Sequence, residues 1–374
     1  MTYAAIPTCP PPVNGSTPAG RSDSEPERLA ALDSLRALAA YSVVLFHYTY
    51  GYARAVAPHS RSIPAFQYGH FGVELFFVIS GFVILLTLER SKSIYDFALR
   101  RFARLYPPYV ASLLITGALV FGIGFNPLHL HASSAAFSVI IGLPDLVGAK
   151  DLDPSYWTLG LEISFYTIAA VATFILPIRF EAACLCWIAA SVLVRVFLTA
   201  HARLHMFIAS DFSAVFVSGA MLFRLMRSQR CNVLALATLG VALSACFFAQ
   251  GTIGLDLPRA AYGVIICPFV ALVYLSTAGK LRILNFRPLV ILGRASYSLY
   301  LIHQIMGYWI IEGLERAGWN PLAAVVVAVL SVTSIALPMR RFIETPIHAL
   351  LKRRLSSRRS DSTAKSVEAC AVSN

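Results

Sequence analysis

Charge is scarce in this 374-residue chain: Asp, Glu, Lys and Arg make up 13% of it against 57% hydrophobic residues, too oily a balance for a soluble protein. Cysteine is also sparse. The seven residues Cys9, Cys184, Cys186, Cys231, Cys246, Cys267 and Cys370 have no paired spacing that would mark a zinc site, a redox motif or a disulfide framework, and they read as small apolar filler. Acidic residues number 19 against 31 Lys and Arg, for a formal charge of +12. The surplus is spread over short loops between apolar runs, which points to membrane topology and away from nucleic acid. Residues 1–30, rich in Pro, Ser and Gly and free of any long apolar run, read as a disordered cytoplasmic tail and not as a signal peptide.

What is present is a series of apolar stretches, each about the 17 to 25 residues that a helix needs to cross a bilayer. Ten are expected, near 32–52, 70–89, 107–125, 156–177, 181–200, 206–226, 231–250, 258–278, 290–312 and 320–339. The segment 130–149, short and broken by Pro144, reads as interfacial or re-entrant. The fold class is therefore an all-α polytopic transmembrane bundle: a membrane domain over 31–348, then a basic cytoplasmic tail over 349–374. Basic residues test this topology: 23 Lys and Arg fall in one set of alternate loops and tails and six in the other. The rich side faces the cytoplasm, so both termini lie inside a cell inner (plasma) membrane.

Ionisable residues within the spans are costly enough to be functional suspects. Arg36 and His47 sit in one apolar run, "LDSLRALAAYSVVLFHY", eleven residues apart. At about 100° and 1.5 Å per residue they share one helix face roughly 16 Å apart. The assigned orientation puts Arg36 in the inner half, and it puts His47, Glu74, Glu162, Arg195, Asp211 and His303 in one outer layer. Asp211 and Arg195 read equally well as interfacial, paired helix-end residues. Gly219 and Gly240 within spans suggest close helix packing. The pairs His201/His205 and His129/His131 lack the remaining ligands of a metal site, and no metal or cofactor is expected.

Several segments resemble acyltransferase family 3, integral membrane O-acyltransferases of sugars and other hydroxyl compounds. "LDSLRALAAYSVVLFH" is similar to the family's first span, with ten residues between its Arg and His, and "FGVELFFVISGFVI" is similar to its second. "RRFARLYPPY", "SYWTLGLEISFY", "LGRASYSLYLIHQ" and "RFIETP" follow in family order. Two positions depart from the pattern: Glu74 stands where Asp is common, and Ile163 where a second acid usually follows Glu162.

The resemblance implies transfer of an acyl group, acetyl by preference, from the co-substrate acyl-CoA to a hydroxyl of a carbohydrate or glycosylated acceptor. Such chemistry needs a base, a group orienting it, and positive charge for the oxyanion and the donor phosphates. His47 is the expected base, able to titrate near neutral pH, with Glu74 and Glu162 competing to orient it. Arg36 guides the anionic donor. Arg101 and Arg104, at i and i+3 on the cytoplasmic rim, are expected to grip its phosphates, although they also read as plain positive-inside anchors. His303 and Tyr297 are expected to contact the acceptor or relay a proton. A transporter or flippase for a glycan or anionic small molecule is the competing reading, since it too would place charges inside a bundle.

Overall fold

The computed structural model describes residues 24–56, 63–198, 202–209, 211–228, 232–248, 258, 260–347 and 349–350. Residues 1–23 and 351–374 of the expected tails lie outside this set. So do His201, Arg61, Arg230, Arg259, Cys9, Cys231 and Cys370. Among the described residues all regular structure is helical.

Helix α1 (Ser24–Phe46) continues through a π turn (His47–Gly51) into Tyr52–Ala55. Positions 24–30, expected in the tail, are thus its first turns. Then follow α2 (Gly72–Glu89) and α3 (Ile94–Gly117), the latter extended by a second π turn, Ala118–Gly122. Two short helices, α4 (Ala132–Phe137) and α5 (Leu143–Val147), occupy the segment broken by Pro144. The chain goes on through α6 (Trp157–Phe174), α7 (Phe180–Phe197), α8 (Ala202–Phe207), α9 (Ser213–Arg227), α10 (Val233–Phe248) and α11 (Ala261–Thr277). Last come α12 (Arg287–Arg294), α13 (Ser296–Arg316) and α14 (Pro321–Met339), which ends in a π turn over Arg340–Glu344.

Local chemistry sets several starts. Ser93 accepts the Asp96 N–H at 3.2 Å ahead of α3. Asn320 accepts the Leu322 N–H at 2.9 Å, with Pro321 at the first position of α14, where no N–H is needed. The basic segment expected to precede a span at 107–125 is instead part of it: α3 begins at Ile94 and carries both Arg101 and Arg104.

Six stretches are long and apolar enough to cross a membrane: Leu29–Ala55, Gln67–Glu89, Ile94–Gly122, Pro154–Phe174, Phe180–Phe197 and Pro321–Ile347. The other four expected spans are also helical but fall short of that measure. Helices α9, α10 and α11 have 15, 16 and 17 residues, and the span expected at 290–312 is broken at Ala295 between α12 and α13. Large apolar side chains such as Leu114, Phe197 and Phe248 stand on the outside, an exterior suited to lipid rather than water.

Inside, the buried apolar side chains form two cores. One draws on α1, α2, α6, α7, α9, α10 and α11, and the other on the later part of α1 with α13 and α14. Phe76 and Tyr297 pack against both, so the seam between the cores runs past these two rings. Helix α2 lies close against α9: a Cβ on Gly81 would lie 2.1 Å from the Phe216 carbonyl oxygen, and one on Gly219 would lie 1.9 Å from that of Val78. Gly219 thus packs as its place in a span suggests. Gly240 does not, because a Cβ there would meet nothing within 4 Å.

Gly219→Ala should force the two backbones apart at an overpacking cost of about 1–3 kcal/mol. Gly240→Ala should be neutral. Thermal unfolding of the detergent-solubilised variants, side by side, checks the contrast.

Candidate functional site

At the end of the bundle where α1 carries Asp33 and Arg36, a cleft of about 570 Å³ is lined by four arginines, Arg36, Arg104, Arg294 and Arg340, against two carboxylates, Asp33 and Glu344. Arg294 Nε donates to Asp33 at 3.1 Å and Arg36 Nη1 to the same carboxylate at 3.5 Å, so Asp33 holds two of the four cations in place. Arg36, Arg104, Ser296 and Tyr297 also line a second cavity of about 640 Å³ that runs along the seam past Phe76. The mouth and this cavity are one basic passage. Glu162 stands in its wall, accepting from Ser80 Oγ at 3.0 Å and from the Tyr166 hydroxyl.

Tyr300 lines the passage on the side toward His303. Its hydroxyl accepts from Thr158 at 2.9 Å and donates to the Ser155 carbonyl at 3.1 Å, and its ring lies 5.4 Å from that of His303. Beyond it the rings of His303 and His47 are 5.0 Å apart. His303 is fully buried, and its Nδ1 lies 2.6 Å from the Tyr300 carbonyl oxygen. A carbonyl can only accept, so Nδ1 carries a proton, and Nε2 is left without a partner. His47 Nδ1 lies 3.4 Å from the Tyr308 hydroxyl.

Two glycines make this pairing of rings possible. A Cβ on Gly307 would lie 2.1 Å from the Tyr48 ring, which lies flat there and donates its hydroxyl to the His303 carbonyl at 2.8 Å. On Gly51, in the π turn that begins at His47, a Cβ would meet the Tyr308 hydroxyl at 2.7 Å and His47 Nδ1 at 3.2 Å. Of the residues singled out in sequence, the structure thus brings His47 to His303, and Arg36 to Arg104, Glu162 and Tyr297.

Others are set apart. Neither Glu74 nor Glu162 bonds His47: Glu74 is buried on α2 with Oε2 unpartnered, and the polar group on the His47 ring is Tyr308. Arg101 does not line the passage that Arg104 lines: it bonds Thr87 and lies over the Phe97 and Tyr166 rings at 5.8 and 5.7 Å, beside an apolar groove. Arg195 and Asp211 form an ion pair at 2.9 Å, away from this passage. The single outer layer of charges is therefore at least three separate groups. Asp33, Glu344, Arg294 and Arg340 of the mouth escaped the sequence reading, although Asp33 stands three residues before Arg36, on the same face. Among the described residues no three His, Cys, Asp or Glu side chains are grouped to hold a metal ion.

The model of an acyltransferase domain matches residues 29–341, spanning every group in the passage except Glu344. The chain belongs to acyltransferase family 3. O-acetyltransferase OatA of Staphylococcus aureus is 27% identical to it over 86% of this chain and 57% of the relative, so the match leaves over a third of that protein uncovered. Exopolysaccharide production protein ExoZ of Rhizobium meliloti is 28% identical over 75% of this chain and 90% of its own length. Peptidoglycan O-acetyltransferase OatA of Listeria monocytogenes is 28% identical over 37% of this chain and 23% of the relative. No solved structure matches. Family and apolar helices together make this a multi-pass membrane protein.

In this family member the helix that carries His303 is fastened to the entry of α6 by a buried carboxylate that sequence reasoning overlooked. Asp153 precedes Pro154 at the entry to α6; Oδ1 accepts from the Ser155 N–H and hydroxyl at 2.9 and 2.7 Å, and Oδ2 accepts from the Ile305 N–H at 3.2 Å, two residues past His303. The signal was the Asp-Pro-Ser of a helix start. Asp153→Ala should cost about 0.5–2 kcal/mol as a lost cap and about 1–3 kcal/mol more for the donors left unpaired. Asp153→Asn, which keeps an acceptor, should cost clearly less; thermal midpoints in detergent check the order.

Proposed function

We propose that the protein moves an acyl group, acetyl by preference, from acyl-CoA to a hydroxyl of a carbohydrate or glycosylated acceptor at the inner plasma membrane. In this reading the bundle has ten spans and both termini are cytoplasmic, as the 23-to-six bias of basic residues supports. The observation that carries the reading is the basic passage: four arginines at one end, and a pair of imidazoles beyond Tyr300.

The donor's phosphates meet Arg36, Arg104, Arg294 and Arg340, whose planar forks suit phosphate oxygens. Glu162 balances part of that charge, which lowers the cost of holding the arginines in a desolvated passage and leaves an excess for the phosphates. The pantetheine arm follows the seam and passes Tyr300 to present the thioester to the histidines. His47 takes the proton of the acceptor hydroxyl as its oxygen attacks the thioester carbonyl, and Tyr308 on Nδ1 sets the ring so that Nε2 faces the reaction. The tetrahedral intermediate collapses by breaking the C–S bond; the thiolate takes a proton from the imidazolium, leaving an O-acyl ester and free CoA. His303, with an open Nε2, is the second site through which that proton passes. The relatives named for O-acetylation of peptidoglycan and for exopolysaccharide production support a carbohydrate acceptor.

Purified protein in detergent, given labelled acetyl-CoA and base-treated surface glycan from its own cells, should yield alkali-labile label on the glycan. His47→Ala should lower turnover by about 10²- to 10⁴-fold. Arg104→Glu should raise the donor KM and leave the acceptor KM nearly unchanged, because that arginine meets a part of the donor remote from the reacting carbon. Movement of glycan across the membrane with no acyl transfer would favour the transporter reading instead.

A further inference from the structure

The cavities among the described residues differ in chemistry. The passage at the Arg36 end is built for an anion, and the groove beside Arg101 is apolar. A third cleft, of about 950 Å³, lies at the opposite end of α1 and α13 and belongs to neither. Its walls are Trp309, Glu312, Gly313 and Arg316 on one face of α13, Ala55 and Val56 at the end of α1, and the segment from Ile123 to His129 after α3. From the proposed transfer reaction, on which this inference rests, we propose that this cleft holds a sugar ring of the acceptor chain, remote from the ring that is acylated.

The walls suit an uncharged, hydroxyl-rich ring. Trp309 is 40% exposed, an aromatic face on which the C–H side of a sugar can lie, while neighbouring Tyr308 on the same helix turns inward to His47. Glu312 and Arg316, bonded to each other, offer an acceptor and donors beside that face. Three glycines keep the surroundings bare: a Cβ on Gly122, Gly124 or Gly313 would meet nothing within 4 Å. The space is therefore unfilled by side chains, and the Gly124 and Gly313 backbones border it. A phosphate would find one arginine already engaged, and an acyl chain would find polar walls.

Position decides which part of the acceptor it takes. Ala55 is eight residues beyond His47 and Trp309 six beyond His303, which at 1.5 Å per residue places the cleft roughly 9–12 Å past the histidines. A single ring cannot occupy the cleft and react at His47 together. The acceptor is thus an oligomer or polymer, anchored at one ring and acylated at another. Binding energy from such a remote ring is the kind that can position the reacting one.

The test uses full-length protein in detergent, acetyl-CoA, and the de-O-acylated surface glycan of the same cells cut to one and to four repeat units. Wild type should show an acceptor KM at least tenfold lower for the longer fragment. Trp309→Ala and Glu312→Gln should erase that advantage while leaving the donor KM and the KM for the single repeat unchanged, and Trp309→Phe should restore part of it. Variants that keep the wild-type length dependence would overturn the assignment of the cleft, as would a wild type indifferent to length. A wild type that transfers nothing to either fragment would instead overturn the acyltransferase reading itself, and the cleft assignment with it.

Discussion

The arrangement depends on how α1 and α13 lie against each other. Tyr48 has no room beside any residue larger than glycine at 307, and once seated there its hydroxyl reaches the His303 carbonyl at 2.8 Å. That contact fixes the register of two helices whose ends reach both sides of the bundle, and the paired imidazoles follow from it: with Tyr48 in place, the preceding residue, His47, falls beside His303. The π turn beginning at His47 adds to this, because its Gly51 leaves room for Tyr308 to approach the imidazole. A turn of this kind inside an α-helix is an energetic irregularity that tends to persist where a side chain must be aimed.

Charge within an apolar bundle is tolerable only where it is answered. Glu181, fully buried, accepts two bonds from Arg224 and one from Asn232, and it holds α7 to α9. Arg195 and Asp211 answer each other. Removing one member of such a pair strands the other, so these groups are read as fasteners. The passage differs: its four arginines exceed the two carboxylates of its mouth, and such an excess of cations suits an anionic ligand.

Periodicity made part of this legible from sequence. Arg36 and His47 share a face because the helix between them is regular through Phe46, and among the described residues helices cover most of each of the ten apolar runs, with breaks in the runs at 206–226 and 290–312. What periodicity cannot supply is which neighbour that face meets. Arg101 and Arg104 are close enough in phase to look like one grip, yet the small rotation between them sends one to the apolar groove and the other to the basic passage. Glu162 and Glu74 likewise had suitable charge and depth, but depth says nothing about azimuth, and the group that reaches His47 is a tyrosine two-thirds of the chain away. Gly219 and Gly240 are equally small in sequence, and only the former has a helix pressed against it.

Under the proposed transfer reaction, the same two helices give substrates of opposed chemistry separate ends of the bundle. Arg36 and Ala55 are nineteen residues apart on α1, and Ser296 and Arg316 twenty apart on α13, roughly 28–30 Å in each case. That is about the thickness of the hydrocarbon core of a bilayer. One basic mouth and one polar, aromatic cleft therefore sit at opposite ends of a single helix pair, with the imidazoles between them and Tyr300 on the basic side. Reaction at the histidines, between the two ends, means that neither substrate has to cross the other's binding surface. A bundle built to move a solute through itself would need a path past them that opens onto each side in turn. For transfer, the passage need open only as far as the histidines, and the rigid register set by Tyr48 on Gly307 serves that requirement without any rocking of one half against the other.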